Sequence, residues 1–321
     1  MIAKSCRSDK HNVKKFLFST GLKNRAISGN NKKARLNRLK SIAGYCNLTI
    51  SNIKIISSID YGDYGEYDRF VHSQAQGWVT ALSSWGKVLE KSFRHIQDKS
   101  LVIHENGDSK VVGVIPLCLV NSHLTGRRLV SMPFATLGTP LIPDNLDINT
   151  IIPYIEKSLQ SCRASRLEIR TSFSGISEKL SRRITLGSIF KCHQLDLNRP
   201  VEQIYQNLHR SYLRRYVNRA TDAGVVIRVA DKIVDIQSFY RLYSMTRKRL
   251  LLPAIPISFF TNIWETFAPQ KNAIFLNAEM NGRPAAAIML LAFGNRVSAV
   301  ALGWDPNFSK EHIVAGLYWK R

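Results

Sequence analysis

Apolar residues recur with a period only beyond residue 48. Before that Lys, Arg, Asn and Ser dominate, as in Asn30-Asn31-Lys32-Lys33, and residues 1–48 are expected to form a flexible leader. From Ile53 the pattern is that of a packed chain. Ile53, Ile55 and Ile56 predict a short strand, and residues 64–74 and 83–93 predict two helices. The apolar runs 101–105 and 111–119 flank Asn106-Gly107, which predicts a β-hairpin, because both central residues of a two-residue turn need positive φ. Residues 130–143 hold Met132-Pro133-Phe134 and Gly138-Thr139-Pro140 and read as an ordered loop. Ile148, Ile151, Ile152, Ile155 and Leu159 share one helix face, with Pro153 tolerated if it lies in the first turn. Residues 166–170 alternate as a strand.

The second half repeats this order. Residues 193–197 and 225–229 read as strands, and residues 201–223, 233–250 and 257–267 as helices. Residues 273–280 and 285–293 flank a second Asn-Gly turn, Asn281-Gly282. A strand over 297–302 comes next, and a helix begins at Ile313. Phe93 ends a helix 13 positions before Asn106, and Phe267 ends one 14 positions before Asn281. That near-match favours a duplicated unit over the chance recurrence of a common α/β arrangement.

Length and composition add three constraints. First, 321 residues suffice for two ordinary domains, and an apolar fraction of 45% is that of a globular chain. No run approaches the roughly 18 apolar residues of a membrane span, and residues 284–293 read as a buried strand instead. With no apolar segment of the secretory kind near the N-terminus, a cytoplasmic location is expected. Second, the net charge is +23, and twelve of the 46 Lys and Arg fall within residues 1–40 beside a single acid, Asp9. Such a balance favours anionic partners, although a solvated face and a disordered leader would give the same composition. Third, Cys6, Cys46, Cys118, Cys162 and Cys192 are widely spaced, so reduced thiols are expected rather than a disulfide framework or a zinc clip.

No Gly-x-Ser-x-Gly, His-Glu-x-x-His, Walker loop or Gly-x-Gly-x-x-Gly is present, and most hydrolase, kinase and dehydrogenase chemistry loses its anchor. What remains is a basic stretch, residues 209–220. Read as one α-helix, it gathers Tyr205, Leu208, Tyr212, Tyr216 and Ala220 on an apolar face. Arg210 and Arg214 then point away, and Arg215 and Arg219 stand at the edge one turn apart. Two guanidinium forks so spaced suit a phosphate or a carboxylate; a solvated basic face explains them as well. Arg247-Lys248-Arg249 closes the next helix, where cations suit the helix dipole. Trp304-Asp305-Pro306-Asn307 joins a strand end to a helix start, a common ligand position in α/β folds and equally a capped turn.

The second half resembles the FemAB-like branch of the GNAT superfamily. The resemblance rests on His209-Arg210 with Arg214-Arg215, on Phe239-Tyr240-Arg241-Leu242-Tyr243, and on Thr246-Arg247-Lys248-Arg249-Leu250. It also rests on Pro256 with Phe259-Phe260, Glu279-Met280-Asn281-Gly282-Arg283-Pro284-Ala285 and Leu317-Tyr318-Trp319. In the first half Trp85-Gly86, Gly113-Val114-Ile115-Pro116-Leu117, Ser131-Met132-Pro133-Phe134 and Leu167-Glu168-Ile169-Arg170 agree with it. The resemblance implies an α/β (α+β) fold of two tandem GNAT-like lobes, over residues 49–187 and 188–321. It further implies transfer of an acyl or aminoacyl group to an amine of a cell-envelope or polysaccharide precursor. No cofactor is expected to be held tightly, and aminoacyl-tRNA or acyl-CoA would serve as co-substrate. The expected partners are anionic: tRNA, CoA or a diphosphate-linked envelope precursor, with peripheral contact to the inner membrane surface.

Positioning and oxyanion stabilisation by backbone N–H groups suffice for such a reaction, which suits the absence of a triad. Arg215 and Arg219 are the expected anion contacts. Tyr212, Trp304 and Tyr318 are expected near the acceptor, with Asp305 as general base. The Arg/Gln-x-x-Gly-x-Gly/Ala loop of ordinary GNAT enzymes is missing; Gln74-Ala75-Gln76-Gly77-Trp78-Val79 fails at its last position. Family members continue past the Tyr-Trp helix, so the second lobe is expected to be incomplete and the chain inactive. The alternative expectation is a non-catalytic remnant that binds nucleic acid or an anionic surface through its charge.

Overall fold

The computed structural model describes residues 53–105, 110–143, 146, 148–171, 187, 188, 190 and 192–319. The expected leader and the turn at Asn106-Gly107 lie outside them. The N-terminal lobe runs β1 (Ile53–Ser57), α1 (Ser58–Tyr61), α2 (Tyr64–Ser73), α3 (Ser83–Ser92), β2 (Ile96–Asp98) and β3 (Leu101–Glu105). It continues with β4 (Val111–Ile115), β5 (Cys118–Ser122), β6 (Gly126–Val130), α4 (Ile148–Ser161) and β7 (Leu167–Glu168). β3 pairs with β4 and β2 with β5, all antiparallel. The run read as one strand over 111–119 breaks at Pro116-Leu117, and its partner breaks at Lys99-Ser100. One ladder bond, Lys99 N to Leu117 O at 2.9 Å, spans both breaks. The two short sheets are therefore one bent sheet, with β1 at one side and β6 and β7 at the other. β7 returns through α4 to lie parallel to β6.

The second lobe repeats this order. It comprises α5 (Val201–Asn207), a π turn (Arg210–Arg214), α6 (Arg215–Asp222), β8 (Val226–Val229), α7 (Ile233–Arg249) and α8 (Ile257–Phe267). Then come β9 (Ala273–Met280), β10 (Arg283–Phe293), β11 (Arg296–Trp304), a 3-10 turn (Pro306–Glu311) and α9 (Ile313–Tyr318). The sheet order is β11-β10-β9-β8, and all its pairings are antiparallel. Asn281 and Gly282 take φ of 52° and 69°, the turn that the sequence demanded. Beyond Arg283, β10 is apolar because both its faces are covered. Ala287, Met289, Leu291 and Phe293 join the core with α7 and α8, while Ala286 and Ile288 pack with Ile313 and Leu317 of α9. Among the described residues β11 has no strand on its outer side, where β6 of the first lobe has β7.

Equivalent helices of the two lobes meet. Trp85 of α3 and Phe93 just after it stand at the same sequence offset from Phe259 and Phe267 of α8 as Lys91 does from Glu265, 174 residues. Trp85 packs on Phe267 at 5.7 Å, and Phe93 packs on Phe259 at 5.5 Å. Trp85 meets its own counterpart Phe259 at 6.2 Å, and Lys91 pairs with its counterpart Glu265 at 3.2 Å. Contacts that are reciprocal in this way are those of a two-fold axis, here inside a single chain. The hydrophobic core runs without interruption through this contact.

Three local expectations are corrected. Residues 193–197 form no strand and are mostly exposed. Pro153 lies in the second turn of α4 rather than the first, on the exposed side. β2, Ile-Gln-Asp, and β6, Gly-Arg-Arg-Leu-Val, are further strands with too few apolar positions to show a period. The helix expected over 201–223 is broken after Asn207 and resumes through the π turn, where Arg214 N donates to His209 O at 3.2 Å. An i to i+5 ring advances the chain by an extra residue and rotates the helix beyond it. The buried face accordingly falls on Ile204, Val217 and Ala220, whereas Tyr212 is 46% exposed.

Candidate functional site

The site is built where the broken helix crosses α9. A Cβ on Gly316 would stand 2.8 Å from the Ala220 Cβ, so small residues let the two helices touch. α9 in turn covers the sheet through Ile313 and Leu317. Aromatic pairs mark both ends of α9. His312, just before it, stacks on Tyr216 at 3.6 Å with planes 13° apart, and Tyr216 packs on Tyr212 at 4.6 Å. At the other end Tyr205 packs on Trp319 at 5.2 Å, and its hydroxyl donates to Asn218 Oδ1.

Along the broken helix itself lies a depression of about 620 Å³ lined by Tyr205, Arg210, Arg214, Arg215, Asn218, Arg219 and Asp222. Four guanidinium groups share it with one carboxylate. Arg210 and Arg214, expected to point away from the apolar face, line the same depression as Arg215 and Arg219. Arg214 Nε also donates to Leu208 O at 3.2 Å, which fixes its stem against the break. Burial and the nearby charges of Arg219 and Arg215 push the His312 imidazole below its usual pKa, against an opposing contribution from Glu311. The shift favours the neutral form of the ring beside these two arginines. Hydrogen bonding to Tyr212 heads the causes that raise the Tyr216 phenol.

Trp304 and Asp305 are placed at the end of β11, against α7. Trp304 N donates to Thr246 Oγ1 at 3.0 Å, and that hydroxyl donates to Trp304 O at 3.3 Å. The Arg249 guanidinium lies 4.3 Å from the Trp304 ring. Asp305 Oδ1 accepts from Asn307 N at 2.9 Å and so caps the 3-10 turn. Tyr318 is packed beside the α9 core, and burial raises its phenol pKa. Arg215, Arg219 and Tyr212 thus belong with His312, while Trp304 and Asp305 belong with Arg249. His312 escaped sequence reasoning because neither a period nor a spacing marks it. Its one anomaly is a left-handed backbone, φ 53°, which only coordinates reveal.

Among the described residues no group of His, Cys, Asp and Glu could hold a metal ion, and no helix is long and apolar enough to cross a membrane. Cys118 and Cys162 are buried free thiols.

A four-stranded antiparallel sheet between α7–α8 and α9, preceded by a first lobe of the same order, defines a tandem GNAT-like α/β protein. The comparisons agree. Residues 207–320, which include the four arginines of the depression, match the family model of the acetyltransferase (GNAT) domain. The crystal structure of FemX superposes with a TM-score of 0.59 at 11% identity, over 80% of this chain and 82% of that one. A conserved protein of unknown function from Bacteroides thetaiotaomicron VPI-5482 superposes with a TM-score of 0.51 at 9% identity, over 80% of this chain and 84% of that one. At such identities the likeness is one of fold. No curated protein matches the chain by sequence. The second lobe therefore matches a GNAT domain, and the chain shares its fold with FemX over most of its length.

Proposed function

We propose that this chain is an N-acyltransferase or aminoacyltransferase of the FemAB-like type, with lobes over residues 49–187 and 188–321. It would move an acyl or aminoacyl group from an activated donor, aminoacyl-tRNA or acyl-CoA, to an amine on a cell-envelope or polysaccharide precursor. One observation carries the reading: four arginines surround one depression inside the stretch that matches a GNAT domain. Both donors present phosphates, and guanidinium forks bind phosphate in bidentate fashion. The missing Gly-rich loop of ordinary GNAT enzymes favours side-chain cations over backbone N–H groups as the phosphate contacts here.

In the reaction the amine nitrogen attacks the acyl carbonyl carbon. A C–N bond forms, the ester C–O or thioester C–S bond breaks, and the attacking nitrogen loses a proton. Arg210, Arg214, Arg215 and Arg219 hold the donor. Tyr212 and Tyr216 offer a ring face beside it, and Trp304 and Tyr318 border the acceptor side. Two groups are candidates to take the proton. An Asp305 carboxylate oxygen is already engaged by Asn307 N, whereas the surroundings of His312 disfavour its charged form, and we assign the role to His312 first.

The test is turnover. Purified full-length chain is incubated with labelled aminoacyl-tRNA or acyl-CoA and with lysine or a muropeptide as amine, and the amide product is tracked by mass spectrometry. Amide formation that falls about a hundredfold in the Arg215→Ala, Arg219→Ala variant is expected. Salt-sensitive binding of both donors without turnover would favour the non-catalytic anion-binding alternative.

A further inference from the structure

Residues 250–257, at the turn between α7 and α8, carry several exposed apolar side chains. Leu250 is 57% exposed, Leu251 is 92% exposed, and Leu252 and Ile257 are 38% exposed each. The backbone of this tip is well ordered by hydrogen bonds. Leu252 N donates to Arg247 O and Leu251 N to Lys248 O, both at 3.0 Å, which is the pattern of a helix stopped by a left-handed residue. That residue is Leu251, with φ 54°. Glycine takes this conformation freely, and a leucine there strains the backbone. Strain and exposed apolar surface fall on the same residue, and among the described residues no packing covers it.

The flanking charges say what would cover the tip. Arg247, Lys248 and Arg249 form the last turn of α7, directly beneath the three leucines. Arg247 Nε is held by Pro253 O at 3.0 Å and the Arg249 guanidinium by the Trp304 ring, so both cations are fixed near the tip. A second copy docked on this tip would set the same three cations of each chain against each other, and the net charge of +23 opposes it further. A small protruding tip is also a poor substitute for the broad flat patch of a protein interface. Apolar side chains at a tip above a collar of cations match a bilayer with anionic headgroups, the leucines among the acyl chains and the cations at the phosphates.

We propose that Leu250, Leu251 and Leu252 insert into the interface of an anionic lipid bilayer while Arg247, Lys248 and Arg249 contact its headgroups. The inference stands on this loop alone. Failure of vesicle binding leaves the transfer reading intact, and absence of turnover leaves this one intact.

The test is co-sedimentation of the full chain with vesicles of phosphatidylglycerol mixed with phosphatidylcholine, and with vesicles of phosphatidylcholine alone. The wild type should partition onto the mixed vesicles. Leu251→Gly should lower that partition about tenfold, since it removes the most exposed apolar side chain. The same variant relieves the backbone strain, so its thermal unfolding should occur no lower than that of the wild type. Lys248→Glu should lower the partition about fivefold on mixed vesicles. All variants keep the basic residues 1–40, so that contribution is common to them. Equal partition of wild type and Leu251→Gly would overturn the proposal, as would no binding by the wild type. Self-association of the wild type without lipid, lost in Leu251→Gly, would overturn it in favour of a second copy.

Discussion

His312 combines a left-handed backbone, a face-to-face stack on Tyr216 and a lowered pKa. The fold disfavours its charged form, so the unfolded chain, with a histidine pKa of about 6.5, binds the proton more readily. The contribution is fully present above about pH 6.5 and is lost as pH falls from there through the folded value. His312→Asn keeps a residue that tolerates positive φ and removes the titration. Its urea midpoint should fall less steeply than that of the wild type between about pH 7 and 5. The arginines make a second prediction at this scale. On a regular helix Arg215 and Arg219 would outweigh Arg210 and Arg214. Because all four line one depression, Arg210→Ala with Arg214→Ala should weaken binding of CoA by about as much as Arg215→Ala with Arg219→Ala, roughly tenfold each at fixed salt. Isothermal titration at one ionic strength checks it.

Among the elements, α7 and β11 of the second lobe come into backbone contact. A Cβ on Gly303 would lie 2.2 Å from Tyr243 N and 2.3 Å from the Leu242 carbonyl carbon, which are backbone atoms that cannot rotate away. Gly303→Ala should therefore cost about 3 kcal/mol, measured by chemical denaturation, and it should also displace the Thr246–Trp304 hydrogen bonds beside it. Gly282, at φ 69° in the β9–β10 turn, meets nothing within 4 Å of a built Cβ. There only backbone strain opposes a side chain, and Gly282→Ala should cost about 1 kcal/mol. The contrast separates a glycine kept for space from one kept for conformation. A third case is β8, which the Arg228 guanidinium ties to α7 through Asp235 at 2.6 Å and to β9 through Glu279 at 2.8 Å.

The molecule as a whole is held by the reciprocal contact of α3 and α8. Trp85 is fully buried between Phe259 and Phe267, and its indole N–H has no acceptor among the described residues. Trp85→Ala should cost about 3–5 kcal/mol, whereas Trp85→Phe, which keeps a ring and removes the unpartnered donor, should cost about 1.5 kcal/mol or less. Since the core is continuous across the axis, the wild type should unfold in a single calorimetric transition, and Trp85→Ala should broaden or split it.

Most of the elements from Ile53 to Tyr318 are legible in the chain alone, β2 and β6 apart. A period of two or of 3.6 and an Asn-Gly turn are local properties, and they survive whatever packs around them. The duplication is legible too, because matched spacings are written along the chain. The phase of the basic stretch is not, since the π turn at Arg210–Arg214 answers to the packing of α6 on α9 and leaves no mark in the apolar pattern. Nor is the company of His312, whose partners Tyr216, Arg215 and Arg219 lie about a hundred residues away along the chain and come within reach only when α6 crosses the start of α9. Long-range contact of this kind depends on the direction of each element in space, which no periodicity encodes.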